Sequence, residues 1–342
     1  MDQIRYVKNG NDIFYIHSIT DNDARSYVEA WTKILFQCNQ EGTFLSAQIF
    51  ISKEVHNEEK FLDILDCKNH CTVLYVDGNY GGIIARGVSK EANAVIKNDK
   101  KYALELTYGG TTSIHVSGLS NRELDFAENY NTVFKRLAQI ANESNFIIAR
   151  TWCWLKDILD HYAVFNQSRN NEYKQLGLFE KKMLPASTGV GIPAYKNSHF
   201  ALDAILYDSN TSIIYHYKTA KQNSAYDYGS AFARMSEVRC RMKRVLYVSG
   251  TAAILKDGSS YKIMDVQEQY DNMLENVTAA LNEANMDWTN VVYGIVYCRG
   301  DDIINSIKDK ELFSTYNIIP ITATICRDNL LLEMELYASA DQ

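Results

Sequence analysis

Near the end of the chain, Leu330, Leu332, Met334 and Leu336 alternate with Leu331, Glu333, Glu335 and Tyr337. A period of two predicts a β-strand with one wholly apolar face. The opposite face carries two carboxylates, and Cys326 and Arg327 stand just upstream. A solvated face accounts for such a pattern; so does a proton donor held in a cleft.

The same kind of reading finds a repeat. Residues 130–160 and 270–305 each begin with a helical pattern that closes on a near-copy, "ANESN" or "LNEAN". Each continues into a β-rich run, "FIIARTWCWL" or "VVYGIVYCR", and then an acidic turn with a short helical start. Upstream of both lies an apolar strand ending in Ser-Gly, at Ser117–Gly118 and Ser249–Gly250. Four ordered elements recurring together predict duplicated α+β units, with helices on one face of a mixed sheet and the other face free for pairing. The segment "LPASTGVGIPAYKNS" between the copies holds two of the chain's three prolines. Such punctuation predicts a domain junction near residue 185, giving domains 1–185 and 186–342.

Composition narrows the function. Of 342 residues, 46% are hydrophobic and 23% charged, which suits an ordinary globular protein with sizeable cores. No apolar run reaches the roughly 18 residues that span a bilayer, and the N-terminus lacks a secretory apolar core, so a cytoplasmic location is expected. A net charge of −7 with interspersed signs argues against broad nucleic-acid binding. A local pocket of arginines for an anionic small molecule remains open. Seven scattered cysteines do not suggest a disulfide framework. Cys67, His70 and Cys71 have metal-ligand spacing but no partner pair, so free thiols and no metal are expected there. Nothing matches a phosphate-binding glycine loop.

The ordered set "LPASTGVGI", "KQNSAYDYGSAFAR", "LYVSGTAAI", "VVYGIVYCR" and "CRDNLLLEME" resembles the chorismatase family, within the RidA/YjgF-like superfamily. The resemblance is good over roughly residues 150–342 and poor before them. It implies two RidA/YjgF-like (chorismate-mutase-like) domains packed as a pseudo-oligomer, with the active site largely in the C-terminal one. The implied substrate is the dianion chorismate, split into pyruvate and either a hydroxybenzoate or a dihydroxycyclohexadiene carboxylate. No cofactor is implied; a role in pigment or other secondary metabolism is. The assembly is either a homo-oligomer or a pseudo-trimeric monomer.

Cleaving that enol ether requires a general acid still protonated near neutral pH, and cations for the two carboxylates. A carboxyl group qualifies when burial raises its pKa from about 4.3. Glu333 matches the family's catalytic glutamate, and Glu335 on the same face is read as a structural or tuning partner. Arg299, Arg234 and, more loosely, Arg169 match substrate-binding arginines, since guanidinium suits bidentate carboxylate recognition. Tyr226 resembles a carboxylate-binding tyrosine, with Gln222 supporting its loop. Ser249, Gly250 and Thr251 supply small groups where backbone approaches a ligand. Cys326 resembles the branch of the family that makes 3-hydroxybenzoate, which favours that product; a thiol beside the ring would assist its opening.

This chain departs from the pattern in three places. "LKDGSSYKIMDVQEQ" replaces a histidine-containing run after "SGTAAI". Met235 stands where a small residue is expected, which would reshape the pocket. "TAKQ" replaces a proline-containing stretch. The alternatives are a RidA-like imine deaminase, against which the absence of an arginine in "PITAT" counts, and a non-catalytic ligand-binding protein.

Overall fold

The structure is a computed structural model that describes residues 4–20, 23–52, 55, 70–100, 102–121, 124–143, 145–194, 198–217, 219–241, 243–262 and 264–342. Three mixed sheets form its frame. The first contains β1 (Arg5–Asn9), β2 (Asp12–Ile19), β3 (Gly42–Ser52), β4 (Cys71–Val76) and β5 (Gly81–Ser89), in the order β1-β2-β5-β3-β4. The second contains β6 (Val95–Lys100), β7 (Ala103–Tyr108), β8 (Thr111–Ser120), β9 (Phe146–Leu155), β10 (Ala186–Val190) and β11 (Phe200–Asp208), in the order β10-β9-β11-β8-β7-β6. The third contains β12 (Ile213–Tyr215), β13 (Met235–Arg239), β14 (Lys243–Ala252), β15 (Val291–Cys298), β16 (Ile318–Thr322) and β17 (Leu332–Asp341), in the order β12-β13-β14-β17-β15-β16.

All three share one plan. A hairpin leads to a helix, a strand, a crossover to a parallel strand, and a last strand that returns to the middle. The α+β class, the repetition and the one-sided helices are as the sequence predicts. The count is three units where the sequence suggests two, because the first unit lacks the Ser-Gly strand and the helix-closing motif that mark the other two. The cut at residue 185 falls inside the second sheet. Ala186–Val190 pairs with β9 and Phe200–Asp208 lies between β9 and β8, so the proline-rich punctuation marks entry into an edge strand. The sheets divide instead after Ser89 and between Asp208 and Ile213.

The helices follow from apolar spacing. In α1 (Ala24–Glu41), Tyr27, Ala30, Trp31, Ile34 and Cys38 are buried, a stripe at intervals of three and four. The Asp23 side chain caps its start by accepting from the Arg25 amide at 3.0 Å. In α2 (Phe126–Glu143), Tyr130, Val133, Phe134, Leu137, Ala138 and Ala141 form the same stripe. In α4 (Val266–Glu283), Tyr270, Met273, Val277, Ala280 and Leu281 do so, capped by Asp265. These helices begin four residues before the repeat boundaries read from the sequence. Shorter α5 (Asp301–Ile307) and α6 (Glu311–Thr315) complete the third unit, and α3 (Ile158–Gln175) belongs to the second.

With helices on the outside, the inner faces of the sheets meet in one core holding Phe14, Phe50, Trp152, Trp154, Tyr247 and Tyr297. Phe50, Trp154 and Tyr297 occupy the same register position in their units, opposite Leu74, Val190 and Ile321. Their ring centroids are 5.6, 6.4 and 6.5 Å apart, a triangle with one corner from each sheet. That triangle marks a pseudo-threefold axis. Among the described residues, no helix is long and apolar enough to cross a membrane.

Candidate active site

The pseudo-threefold arrangement creates three related interfaces, and they have diverged. On the last strand of each unit, one register position is Ile84, Asp203 or Glu335. Opposite it lie Gln48, Trp152 or Ile295 on the neighbouring strand, and beyond those Thr72, Thr188 or Ile319. Between the first and third units the residues are apolar: Ile84, Ile295 and Ile319 share one core. Between the first and second, Asp203 is saturated. It accepts from Thr72 Oγ1 at 2.5 Å, Gln48 Nε2 at 3.0 Å, the Gly118 amide at 2.7 Å and Trp154 Nε1 at 3.0 Å.

The interface between the second and third units is different. Glu335 accepts from Arg150 Nη2 at 2.7 Å and Trp152 Nε1 at 2.8 Å, all three groups being buried. Arg150 also donates to Thr188 Oγ1 at 2.6 Å and lies 4.5 Å from the Trp152 ring centroid. Two residues before Glu335, Glu333 is equally buried, but its Oε1 has no hydrogen-bond partner. Burial above all, and then the Glu335 charge, push the Glu333 pKa up to about 8, against the pull of Arg150. Arg150 Nη1 and the Tyr297 hydroxyl are further buried polar atoms without partners. Tyr297 stands directly opposite Glu333 in the sheet. Three unmet polar atoms in one interior region are the mark of a site that a ligand or water completes.

Backbone geometry brings the chain close to this carboxyl. A register shift in the β14–β17 pairing falls at Ser249–Gly250. A Cβ on Gly250 would sit 2.5 Å from Glu333 Oε1 and 3.1 Å from Thr188 Cγ2, so a larger residue there would displace the Glu333 carboxyl. The Gly250 amide donates to Thr188 Oγ1 at 2.9 Å. Ser249 and Thr251, expected to touch substrate, are engaged internally. Ser249 Oγ accepts from the Ser187 amide and donates to the Ala233 carbonyl, and Thr251 Oγ1 donates to the Ser249 carbonyl.

Cys326 lies near Glu333. Burial first, and then the Glu333 charge, push its thiol up to about 12. It therefore carries a proton at neutral pH and is an S–H group rather than a thiolate. Tyr162 on α3 hydrogen-bonds Cys326 and reaches Ser230 Oγ at 3.4 Å. The helix thus ties Cys326 to the 229–234 segment. Asn170, two turns on, donates to the Gly229 carbonyl and accepts from the Ala231 amide.

That segment leads into a cavity of about 260 Å³ lined by Gln222, Tyr226, Phe232, Arg234, Phe179 and His216, among others. Gln222 is buried and holds its loop by donating to the Ile254 carbonyl at 3.1 Å. Tyr226 packs on Phe179 with centroids 4.6 Å apart. Arg234 donates through Nε to the Asn223 carbonyl at 3.2 Å. Arg234 and Arg169 lie on Phe232, at 5.5 and 5.6 Å from its centroid. Arg169 is buried, donates to Asn166 Oδ1 at 2.6 Å and keeps an unpartnered Nε.

The fold therefore gathers Glu333, Cys326 and Gly250 into one cluster, and Gln222, Tyr226 and Arg234 around one cavity. Ser187 Nα and Ser249 Oγ, together with the 229–234 segment, connect the two. Arg299 stands apart: it ion-pairs with exposed Asp328 at 3.1 Å and is itself about one-third exposed. Arg327 secures a loop by donating to the Gly258 carbonyl at 2.7 Å. Met235 lines no part of the cavity. It is fully buried on the helix-facing side of β13, packed with Met273 and Leu281. Sequence reasoning missed Arg150, Thr188 and Tyr162. A lone arginine inside the apolar run "FIIARTWCWL" was the one available signal. Cys67 lies outside the described residues, and among those described no group of three His, Cys, Asp or Glu side chains is placed to hold a metal ion.

Comparison with known proteins places this geometry in context. Residues 229–339 match the family described as Endoribonuclease L-PSP. No curated protein sequence matches the chain. A crystal structure of a chorismatase covers 98% of this chain and 100% of its own, at 16% identity and a TM-score of 0.64. The chain shares that fold. An endoribonuclease L-PSP-type protein from Entamoeba histolytica is 17% identical and covers 37% of this chain and 100% of its own, with a TM-score of 0.31. Yeast Mmf1 is 21% identical over 37% of this chain and 98% of its own, with a TM-score of 0.30.

Proposed function

We propose that this chain, built on the fold of a chorismatase, cleaves the enolpyruvyl ether of chorismate, with Glu333 as the general acid. One observation carries the reading: a buried carboxyl with an unmet oxygen, its pKa raised to about 8, linked through Cys326 and Tyr162 to the segment that leads to a cavity lined by Arg234. Burying an isolated carboxylate is costly, so Glu333 keeps its proton at neutral pH. A carboxylic acid at that pH is what protonation of an enol ether requires.

The steps balance as follows. Glu333 delivers its proton to the methylene carbon of the enolpyruvyl group, leaving an oxocarbenium centre and a carboxylate. Water adds to that centre and returns a proton to Glu333. Collapse of the hemiketal breaks the bond between its carbon and the ring-bound oxygen, which takes up the hemiketal hydroxyl proton, and releases pyruvate and a dihydroxycyclohexadiene carboxylate. Loss of one water from the ring gives a hydroxybenzoate, so pyruvate plus hydroxybenzoate together equal chorismate in composition. The protonated thiol of Cys326, near Glu333, fits a role as proton donor during ring aromatisation; 3-hydroxybenzoate is the product this reading favours. Arg234, with Arg169 behind it and Tyr226 at the cavity wall, supplies the positive charge and hydroxyl that a substrate carboxylate needs.

Incubation with chorismate, with pyruvate and the aromatic acid quantified, tests the proposal. Pyruvate release by the wild type and its loss in Glu333→Gln support it. An inactive wild type, or a fully active Glu333→Gln, overturns it.

A further inference from the structure

The far end of the pseudo-threefold axis holds a second polar cavity that the proposed chemistry does not use. Its volume is about 180 Å³, and its lining includes Arg86, Lys243, Tyr108, Thr111, Ser113 and Tyr207. It forms where the β1–β2 and β7–β8 turns meet the ends of β14 and β17. Gly10, Gly109 and Gly110 have positive φ, which keeps these two turns tight. Along β17 it lies at Asp341, eight residues beyond Glu333, or about 26 Å at about 3.3 Å per residue. The two sites are therefore separate.

Asp12, Thr111 and Lys243 are the first residues of β2, β8 and β14, the equivalent strands of the three units. By register Lys243 corresponds to Thr111 and Gly10, and Asp12 to Ser113 and Val245, so the acid and the base sit two residues apart on their respective strands. Asp12 is fully buried and already saturated. Its Oδ1 accepts from Arg86 Nη2 at 3.1 Å and from the Tyr108 hydroxyl at 3.0 Å, and its Oδ2 pairs with Lys243.

Donors remain in excess. Arg86 is more than nine-tenths buried and lines the cavity, and its Nε has no partner. Lys243 has three N–H bonds and a single acceptor among its hydrogen bonds. Thr111 and Ser113 line the same space, with Ser113 Oγ 3.2 Å from His115 Nε2 and Thr111 hydrogen-bonded to Cys240. Within the cavity, the charges of Arg86 and Lys243 exceed that of Asp12 by one. At the mouth, Asp341 is solvent-exposed, so water and salt screen its charge from the buried cations. Surplus donors and one net positive charge in an enclosed space call for an anionic acceptor.

We propose that this axial cavity is a binding site for a small monovalent carboxylate, held by Arg86 and Lys243. A dianion such as phosphate fits worse, because Asp12 offsets one of the two cations. The site does not depend on the proposed reaction and is occupied whether or not chorismate is the substrate.

Isothermal titration of the full-length protein with acetate, in a carboxylate-free buffer, tests this, with inorganic phosphate as the comparison. The expected result is one saturable acetate site, retained in Arg234→Gln and weakened at least tenfold in Lys243→Gln. If Lys243→Gln does not fold, Cys240→Phe, which fills the cavity from an uncharged wall, is expected to show the same loss. Absence of a saturable site would mean that water alone fills the space and would overturn the proposal. So would unchanged binding in the cavity variants, or loss of binding in Arg234→Gln. Tighter binding of phosphate than of acetate would overturn the assignment to a monovalent carboxylate.

Discussion

Glu333 and Glu335 stand two residues apart on one strand, both buried on the same face, yet Arg150 pairs with Glu335 alone. That asymmetry divides their roles. The charge of the paired carboxylate helps keep the proton on the unpaired one.

Glu333→Gln keeps the shape and removes the transferable proton. The expected outcome is a loss of pyruvate release of about 100-fold or more, since general acid catalysis contributes roughly 10²–10⁴-fold. Circular dichroism and the thermal midpoint should show a folded protein. A rate within threefold of wild type would remove Glu333 from the chemistry.

The pKa of Glu333 sets two pH profiles. The group is active when protonated, so the rate is expected to fall as pH rises through about 8. Stability follows the same proton. The folded pKa is raised above the ordinary carboxyl value of 4.5, so the folded state holds a proton that the unfolded chain has released. This contribution to stability is intact below about pH 4.5, is lost progressively up to about 8, and then levels off. Denaturant titrations of wild type and Glu333→Gln should differ in slope within that window and run parallel above it.

Glu335→Gln removes the neighbouring charge that raises the Glu333 pKa. The alkaline limb of the rate profile should therefore move to lower pH. A limb that stays in place would show that burial alone sets the proton affinity of Glu333.

Arg150→Met leaves Glu335 buried without its cation, which typically costs about 3–5 kcal/mol. The double variant Arg150→Met/Glu335→Met strands no charge and should recover most of that loss. Chemical denaturation of both variants measures the difference. Equal destabilisation in the two would mean that the pair contributes by packing alone.

Met235→Ala opens a void in the core behind β13 and should cost about 2–5 kcal/mol. Because the side chain faces the helices, KM for the substrate is expected to stay within about threefold. A large change in KM at unchanged stability would put Met235 back at the cavity wall.

Much of this was readable from residue order. The alternation through Leu332, Met334 and Leu336 determined which face of β17 meets the helices, because apolar area removed from water outweighs local preference. It thereby placed Glu333 and Glu335 on the inner face. The recurring helix and Ser-Gly strand determined that two units share a plan. The first unit was hidden, since a fold tolerates wide substitution while its pattern of buried positions persists. Residue order could not say where the inner faces would meet. Arg150, Thr188 and Tyr162 lie on another sheet and its helix, more than 140 residues from Glu333, and only docking of the units brings them to it. Nor could it say that Arg299 would turn to Asp328 while Arg169 became buried, because burial of a charge depends on which surface covers it. The sequence by itself determined which side chains face inward; the tertiary structure decided which of them are left without a partner, because pairing across an interface depends on distances that no single strand contains.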